Sequence, residues 1–406
     1  MKGARSLTTQ ALDHRYALWL CAVHLVDSMG NGIAFGGTAI YLVRHVGLNP
    51  VTTGVAFAAG AAGGIVVGPI VGRYTDRADA RSILRLLLVF TGVLYAVLFA
   101  VGSSSPGLVA TIFALGVMVH ACLPGPFVTL IETNFWFARP AIARSYVRGW
   151  GNFGMGIGAG LTAVTLGMVG DGAIRWVPLA NGLTFLAAAA LLGLVRSRPV
   201  VFRSGPKVDP IVRLSGMPAF LALTATLGLH SSILAVGFPL WIAASTLPSW
   251  LPATLVWANT LVVTVFQVRV STWVDRGGSR PVAAARRAGL LTAFSCLIMM
   301  MPDSATVFVC LLMFLTVTVS ELLQNALYFF FSFEIGPDAR RAEVASMLHL
   351  SQSAESLGGP LVFSLTMGIG PWMPWLVLAI ASAVAASRYE SASRRILLSL
   401  KALDKV

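Results

Sequence analysis

The chain is 406 residues long, 56% hydrophobic and only 11% charged, with a mean hydropathy of +0.80 and a formal net charge of +13. A soluble interior grows too slowly with length to hide that much apolar surface, which excludes an ordinary soluble domain and leaves a membrane protein. The positive charge is spread over many short segments instead of being gathered in one patch, which excludes nucleic acid as its partner and makes it a topology signal.

Read in order, the apolar runs predict an all-α membrane protein with twelve transmembrane helices. In the first half they cover residues 17–42, 51–71, 83–102, 107–131, 145–168 and 176–195; in the second, 217–243, 252–272, 283–301, 304–332, 344–367 and 372–388. Barrel strands are excluded, because they alternate in segments of about ten residues. The polar start MKGARSLTTQALDHR leads into a span too long for a signal-peptide core, so no cleavage is expected. With both termini cytoplasmic, only Arg44 and Arg175 fall in outer loops, as the positive-inside rule requires. Arginine far outnumbers lysine, which suits a bacterial protein, and the expected location is the inner (plasma) membrane.

Span 1, LWLCAVHLVDSMGNGIAFGG, places His24, Asp27 and Asn31 at i, i+3 and i+7, on one helix face. Asp27 lies roughly 15 Å along the helix from its cytoplasmic end. A charge at that depth is costly, so Asp27 is the leading functional candidate, with His24 one turn away to share or relay a proton. After span 2 comes GRYTDRADAR, residues 72–81, an abrupt cluster of charge between two apolar runs. Span 5 is dense in glycine, from Gly149 to Gly160, which permits close helix approach.

Residues 196–216, RSRPVVFRSGPKVDPIVRLSG, are charged and proline-rich and predict a cytoplasmic linker. The expected organisation is an N-terminal six-helix bundle over 1–195, this linker, and a C-terminal six-helix bundle over 217–406. A shift of 199 residues lays STWVDRGGSR, 271–280, over GRYTDRADAR, so that Asp76 meets Asp275, Arg77 meets Arg276 and Arg81 meets Arg280. Both segments follow the second span of their half, which makes the halves pseudo-symmetric repeats.

Span 10 carries Glu321, Gln324 and Asn325 on one face, and span 11 carries His349, Gln352 and Glu355 along a polar, small-residue stripe. Lipid does not tolerate such faces, so they are expected to line a polar cavity together with the span 1 residues, with Glu321 or Glu355 as candidates to join Asp27 in proton coupling. His120 and His230 are expected to be packing residues, and Arg148 and Arg269 structural groups near cytoplasmic ends. Cys21, Cys122, Cys296 and Cys310 all fall inside spans and read as packing residues. Trp176, Trp250, Trp372 and Trp375 lie at span ends and read as an interfacial belt. The sequence has no phosphate-binding GxxxxGK[ST] and no metal-ligand spacing, so neither cofactor nor metal is expected. Outer loops of a few residues leave no room for the catalytic face of a membrane enzyme.

The paired loops resemble the signature G-x-x-x-D-R-x-G-R-R of the major facilitator superfamily. The first copy matches at Gly72, Asp76, Arg77 and Arg81, with Asp79 and Ala80 where Gly and Arg are usual. The second matches at Asp275, Arg276, Gly278 and Arg280, with Ser271 at the first position. The resemblance implies a secondary transporter working by alternating access, with these loops as a cytoplasmic gate. In such a fold Asp76 would face the N-terminus of span 11 and Asp275 that of span 5, where free N–H groups attract a carboxylate. Asp27 resembles the acidic first-helix position of proton-coupled drug exporters in that superfamily. Gly156, Gly158 and Gly160 resemble the exporters' G-P-x-x-G-G pattern in span 5 without its proline. The expectation is therefore proton-coupled efflux of a lipophilic or cationic small molecule by a monomer, the alternative being import or facilitated passage of a small nutrient.

Overall fold

A computed structural model of the chain describes residues 7–75, 78–135, 140–197, 216–301, 307–334 and 341–403. All regular structure among them is helical. The first unit contains α1 (Leu7–Ile40), α2 (Pro50–Thr75), α3 (Ala80–Val101), α4 (Pro106–His120), α5 (Pro124–Asn134), α6 (Pro140–Val169) and α7 (Val177–Leu191). The following helices are α8 (Met217–Ser232), α9 (Phe238–Ala243), α10 (Trp250–Asp275), α11 (Arg280–Ile298), α12 (Val307–Glu334), α13 (Arg341–Met367) and α14 (Met373–Leu403).

Ten helical stretches among the described residues are long and apolar enough to cross a membrane. They run from His14–His45 to Val307–Tyr328; α13 and α14, 27 and 31 residues long, lie beyond them. Their outward faces are apolar in a way water would not tolerate. On α3, Leu86, Val89, Phe90, Val93 and Val97 form one exposed stripe at helical spacing. Such a stripe meets acyl chains, and the chain is an integral membrane protein.

Three features depart from the sequence expectation. The fourth span is not one helix: it breaks at Ala121–Leu123 and restarts as α5 at Pro124, whose ring has no N–H to continue the ladder. Trp375 is not interfacial but 1% exposed, packed edge-on to Phe363 at 5.2 Å. Two helices pass through π-helical turns, Tyr41–His45 after α1 and Ile233–Gly237 between α8 and α9. The four cysteines are buried and unpaired with one another.

The chain forms two compact units, Met1–Ser204 with Pro248–Thr260, and Gly205–Leu247 with Leu261–Val406. The first is organised by the glycines of α6, which serve two faces. Gly151, Gly154 and Gly158 bring α1 against α6 so closely that a β-carbon would strike His24, the Leu25 carbonyl and the Met29 carbonyl respectively. Gly156 and Gly160 instead face Thr260 and Trp257 of α10. Glycine spacing of three and four on one helix thus seats two neighbours at once. In the second unit, Met217, Phe220, Leu227, Ala285, Ala288, Phe331 and Tyr389 share one buried core.

Candidate functional site

A cavity of about 350 Å³ lies within the first unit, between α1, α3, α4, α5 and α6. Three residues singled out in the sequence meet in it: His24, Asp27 and Asn31. Their spacing on α1 puts Asp27 between the other two. Asn31 Nδ2 donates to Asp27 Oδ2 at 3.4 Å, and His24 Nδ1 lies 4.0 Å from the same oxygen. The other carboxylate oxygen, Oδ1, is buried without a hydrogen-bond partner. The His24 ring is held against Phe127 of α5, with ring centroids 4.7 Å apart. The bare backbone at Gly151 makes room for it: a β-carbon there would lie 2.5 Å from His24 Nε2.

The cavity also holds Arg148 and His120, read from the sequence as structural and packing residues, and Asn152, which the sequence did not mark. Arg148 and Asn152, one turn apart on α6, and His120 at the end of α4 all line it, with Phe127, Leu84 and Leu88 supplying apolar wall. His120 additionally meets Phe185 edge-on at 5.6 Å. Arg148 is exposed. The spacing of 148, 151, 152 and 155 on one face of α6 was available as a signal, but only the neighbouring helix reveals that the face looks onto Asp27. One cavity therefore combines a carboxylate, an arginine, imidazoles and amides with an aromatic and aliphatic wall. That composition suits reversible binding of a small molecule with both apolar and polar parts.

The remaining polar residues belong to the second unit. Gln324 is buried on α12, its Nε2 donating to the Thr224 carbonyl at 3.1 Å. Glu321 and Asn325 are half-buried on the same helix. On α13, Gln352 is half-buried, and Glu355 accepts a hydrogen bond from Ser231 of α8 at 2.9 Å. His349 lies on α13, with its side chain outside the described residues.

The repeated loops differ from one another. Asp76 and Arg77 lie outside the described residues. Gly72 lies in α2 with nothing within 4 Å of where a β-carbon would stand, so space does not require glycine there. Arg81 donates to the Val195 carbonyl at 3.1 Å, beyond the end of α7. Asp79, which departs from the signature, caps α3: its carboxylate accepts from the Arg81 and Ser82 backbone N–H groups, both at 3.3 Å, and from the hydroxyls of Ser82 and Ser197. Partial burial acts against its charge, but the bonds from Ser197, Ser82 and the Arg81 backbone, with the Arg81 charge, outweigh it and hold the carboxyl below its ordinary value. In the second copy Asp275 ends α10 and is exposed, as is Arg276, and Gly277 and Gly278 turn the chain with φ of +70° and +66°. Consecutive left-handed residues call for glycine. Arg280 opens α11, its Nη1 buried without a hydrogen-bond partner.

The sequence model of the Major Facilitator Superfamily matches residues 20–363. No curated protein sequence matches the chain significantly. Among solved structures, the nucleoside transporter NupG is similar over 93% of this chain and 99% of its own, with a TM-score of 0.71 and 14% identity. A bacterial homolog of the human lysosomal transporter Spinster, inward-facing and occupied, covers 98% and 99% with a TM-score of 0.72 and 14% identity. The POT family transporter PepTSo covers 95% and 98% with a TM-score of 0.71 and 14% identity. At such identities the likeness is one of fold.

Proposed function

The chain belongs to the major facilitator superfamily, and from that premise we propose that it is a proton-coupled secondary transporter with Asp27 as its coupling group. The observation that supports this is the environment of Asp27: a carboxylate in a spanning helix, hydrogen-bonded by Asn31, beside His24, with its second oxygen buried and unpartnered, in a residue that lines a cavity of about 350 Å³. An ionisable group so placed is a functional group by default. A proton on Asp27 and a substrate in the same cavity compete for one charge balance, and that competition is the coupling.

In this reading the chain crosses the inner membrane of a bacterium twelve times, counting α13 and α14, with both termini in the cytoplasm. Two six-helix bundles, 1–195 and 217–406, are joined by 196–216 and work by alternating access as a monomer. The two charged loops, Gly72 to Arg81 and Asp275 to Arg280, are elements of the cytoplasmic gate. The direction is export: protons enter as a lipophilic or cationic compound leaves. Import of a small polar nutrient is the second reading, favoured by Arg148 and Asn152 in the Asp27 cavity, since these suit a substrate with an anionic or hydrogen-bonding group.

Proton movement in proteoliposomes, with a panel of lipophilic cations added to one side, separates these readings. Cation-triggered proton flux that vanishes in Asp27→Asn supports the coupled exporter. Flux with unchanged pH dependence in Asp27→Asn removes Asp27 from the coupling. Silence with every cation, and flux with small polar solutes, turns the direction to import.

A further inference from the structure

In the second unit, α8 and the π-helical turn that follows it lie against α13 at three glycines. A β-carbon on Gly228 would overlap Glu355 Oε2, one on Gly359 the Ser232 side chain, and one on Gly237 the Phe363 ring. The pairs ascend both helices in the same sense, so the helices run parallel in close contact. At this seam Glu355 is held twice. Ser231 Oγ donates to Oε1 at 2.9 Å, and Ser232 Oγ donates to the Glu355 main-chain carbonyl at 2.9 Å. Oε2 lies against the bare backbone of Gly228.

Both helices are irregular just beyond this contact. The α8 ladder gives way after Ser232 to the π-helical turn Ile233–Gly237, a feature common at functional sites. Pro360 sits inside α13 five residues after Glu355 and has no N–H for the carbonyl one turn earlier. The carboxyl therefore bridges two helices where each is least regular.

Among the described residues, Glu321 is the ionisable group whose charge acts on Glu355. His230 on α8 has its Nδ1 3.0 Å from the Leu227 carbonyl, and Glu321 on α12 interacts electrostatically with both His230 and Glu355. His349, six residues earlier on α13, has a side chain outside the described residues. Among the described residues no lysine or arginine pairs with Glu355. A second carboxylate and one hydroxyl do not compensate a negative charge inside a membrane protein. A proton compensates it in place: it bonds to Oε2 while Oε1 keeps the hydrogen bond from Ser231, and no other bond breaks.

We propose that Glu355 is a second proton site, built by α8 and α13 in the second unit and separate from Asp27, with Ser231 positioning its carboxyl. Its meaning for transport rests on the proton-coupled reading above: a chain with both sites can exchange two protons per cycle, one at each carboxyl.

The proton itself is the ligand to test, so no transported substrate is needed. Infrared difference spectra of the full-length protein in phosphatidylcholine vesicles, stepped between about pH 5 and pH 9, read the C=O stretch of protonated carboxyls. The expected signal has one component lost in Asp27→Asn and a different component lost in Glu355→Gln. Ser231→Ala shifts the frequency of the Glu355 component and leaves the Asp27 component in place. A spectrum unchanged by Glu355→Gln overturns the proposal, as does loss of both components in that variant, which would make the two carboxyls one site. If Glu355→Gln does not fold, an unmoved spectrum in Ser231→Ala overturns it. Failure of the Asp27 reading looks different: the component sensitive to Asp27→Asn is missing while the Glu355 component remains.

Discussion

Gly151 and His24 touch across the α1–α6 contact at a point where a β-carbon on residue 151 would lie 2.5 Å from His24 Nε2 and 3.1 Å from Ser28 Oγ. Glycine here sets the depth of α1 against α6, and with it the position of the ring that stands beside Asp27. Gly151→Ala is expected to push His24 into the cavity, at a cost of about 1–3 kcal/mol for overpacking, and to slow transport strongly. Gly149→Ala, two residues earlier with nothing within 4 Å of its β-carbon, is the control. It is expected to be neutral or to stabilise by up to about 1 kcal/mol through helix propensity. Thermal unfolding in detergent and flux in proteoliposomes check both.

Arg148 and Asp27 contribute opposite charges to one cavity. Removing the positive one should favour a cationic substrate. A charge lining a cavity interacts with a bound charge by on the order of 1 kcal/mol at the effective dielectric constants of partly solvated sites. Arg148→Gln is therefore expected to tighten binding of a lipophilic cation several-fold and to weaken an anionic solute by a similar factor. Equilibrium binding of a matched cation and anion measures the shift. Equal affinities in the variant and the parent would place Arg148 outside the reach of the bound molecule.

Asp79 makes a prediction about pH. Its carboxyl is held below its ordinary value by the bonds from Ser197, Ser82 and the Arg81 backbone and by the Arg81 charge, against the opposing effect of burial. A group whose folded value is depressed stabilises the fold above its unfolded value, and the contribution is lost as pH falls through the folded value. The cap should thus be intact at neutral pH and fade on acidification below the usual carboxylate range. Asp79→Ala is expected to cost about 1 kcal/mol at neutral pH, as loss of an N-cap does. The gap between variant and parent should close in acid. Melting curves of both across that range decide it, and a gap that does not depend on pH would remove the charge from the cap's role.

The membrane class and helix positions were legible because an apolar run of about 20 residues has one common meaning. The cluster of His24, Asp27 and Asn31 was legible because i, i+3 and i+7 fall on one face of any helix. What surrounds that face was not. Arg148, Asn152, His120 and Phe127 line the same cavity as Asp27 from α4, α5 and α6, and no local spacing encodes which helices become neighbours. Gly228 reads as an ordinary glycine in LTATLGLH until Glu355, 127 positions away, is found against it. Asp79 was legible in principle: an aspartate just before an apolar run is a helix-start signal. The signature loop has Gly at that position, so the resemblance carries no capping role for it.

Two contacts tie α10 into the first unit near its start, and they differ in kind. Asp171 accepts from Ser249, the residue before α10, and pairs with Arg44 at 3.4 Å. The Asp171 side chain is 61% exposed, and pairs exposed to that degree contribute about 0–1 kcal/mol. The other contact is at Gly36 of α1, where a β-carbon would lie 2.6 Å from both Ala253 Cα and Ala253 Cβ. The backbone cannot yield as a side-chain end can, so Gly36→Ala must part α1 from α10. The steric contact should dominate: Gly36→Ala is expected to destabilise by about 1–3 kcal/mol, whereas Asp171→Ala stays under about 1 kcal/mol. Salt sharpens the comparison, because screening weakens the exposed pair and leaves the packing contact untouched. Melting of the two variants at low and high ionic strength gives the order directly. A larger loss from Asp171→Ala than from Gly36→Ala, persisting in high salt, would mean that the carboxylate and not the glycine holds α10 in place.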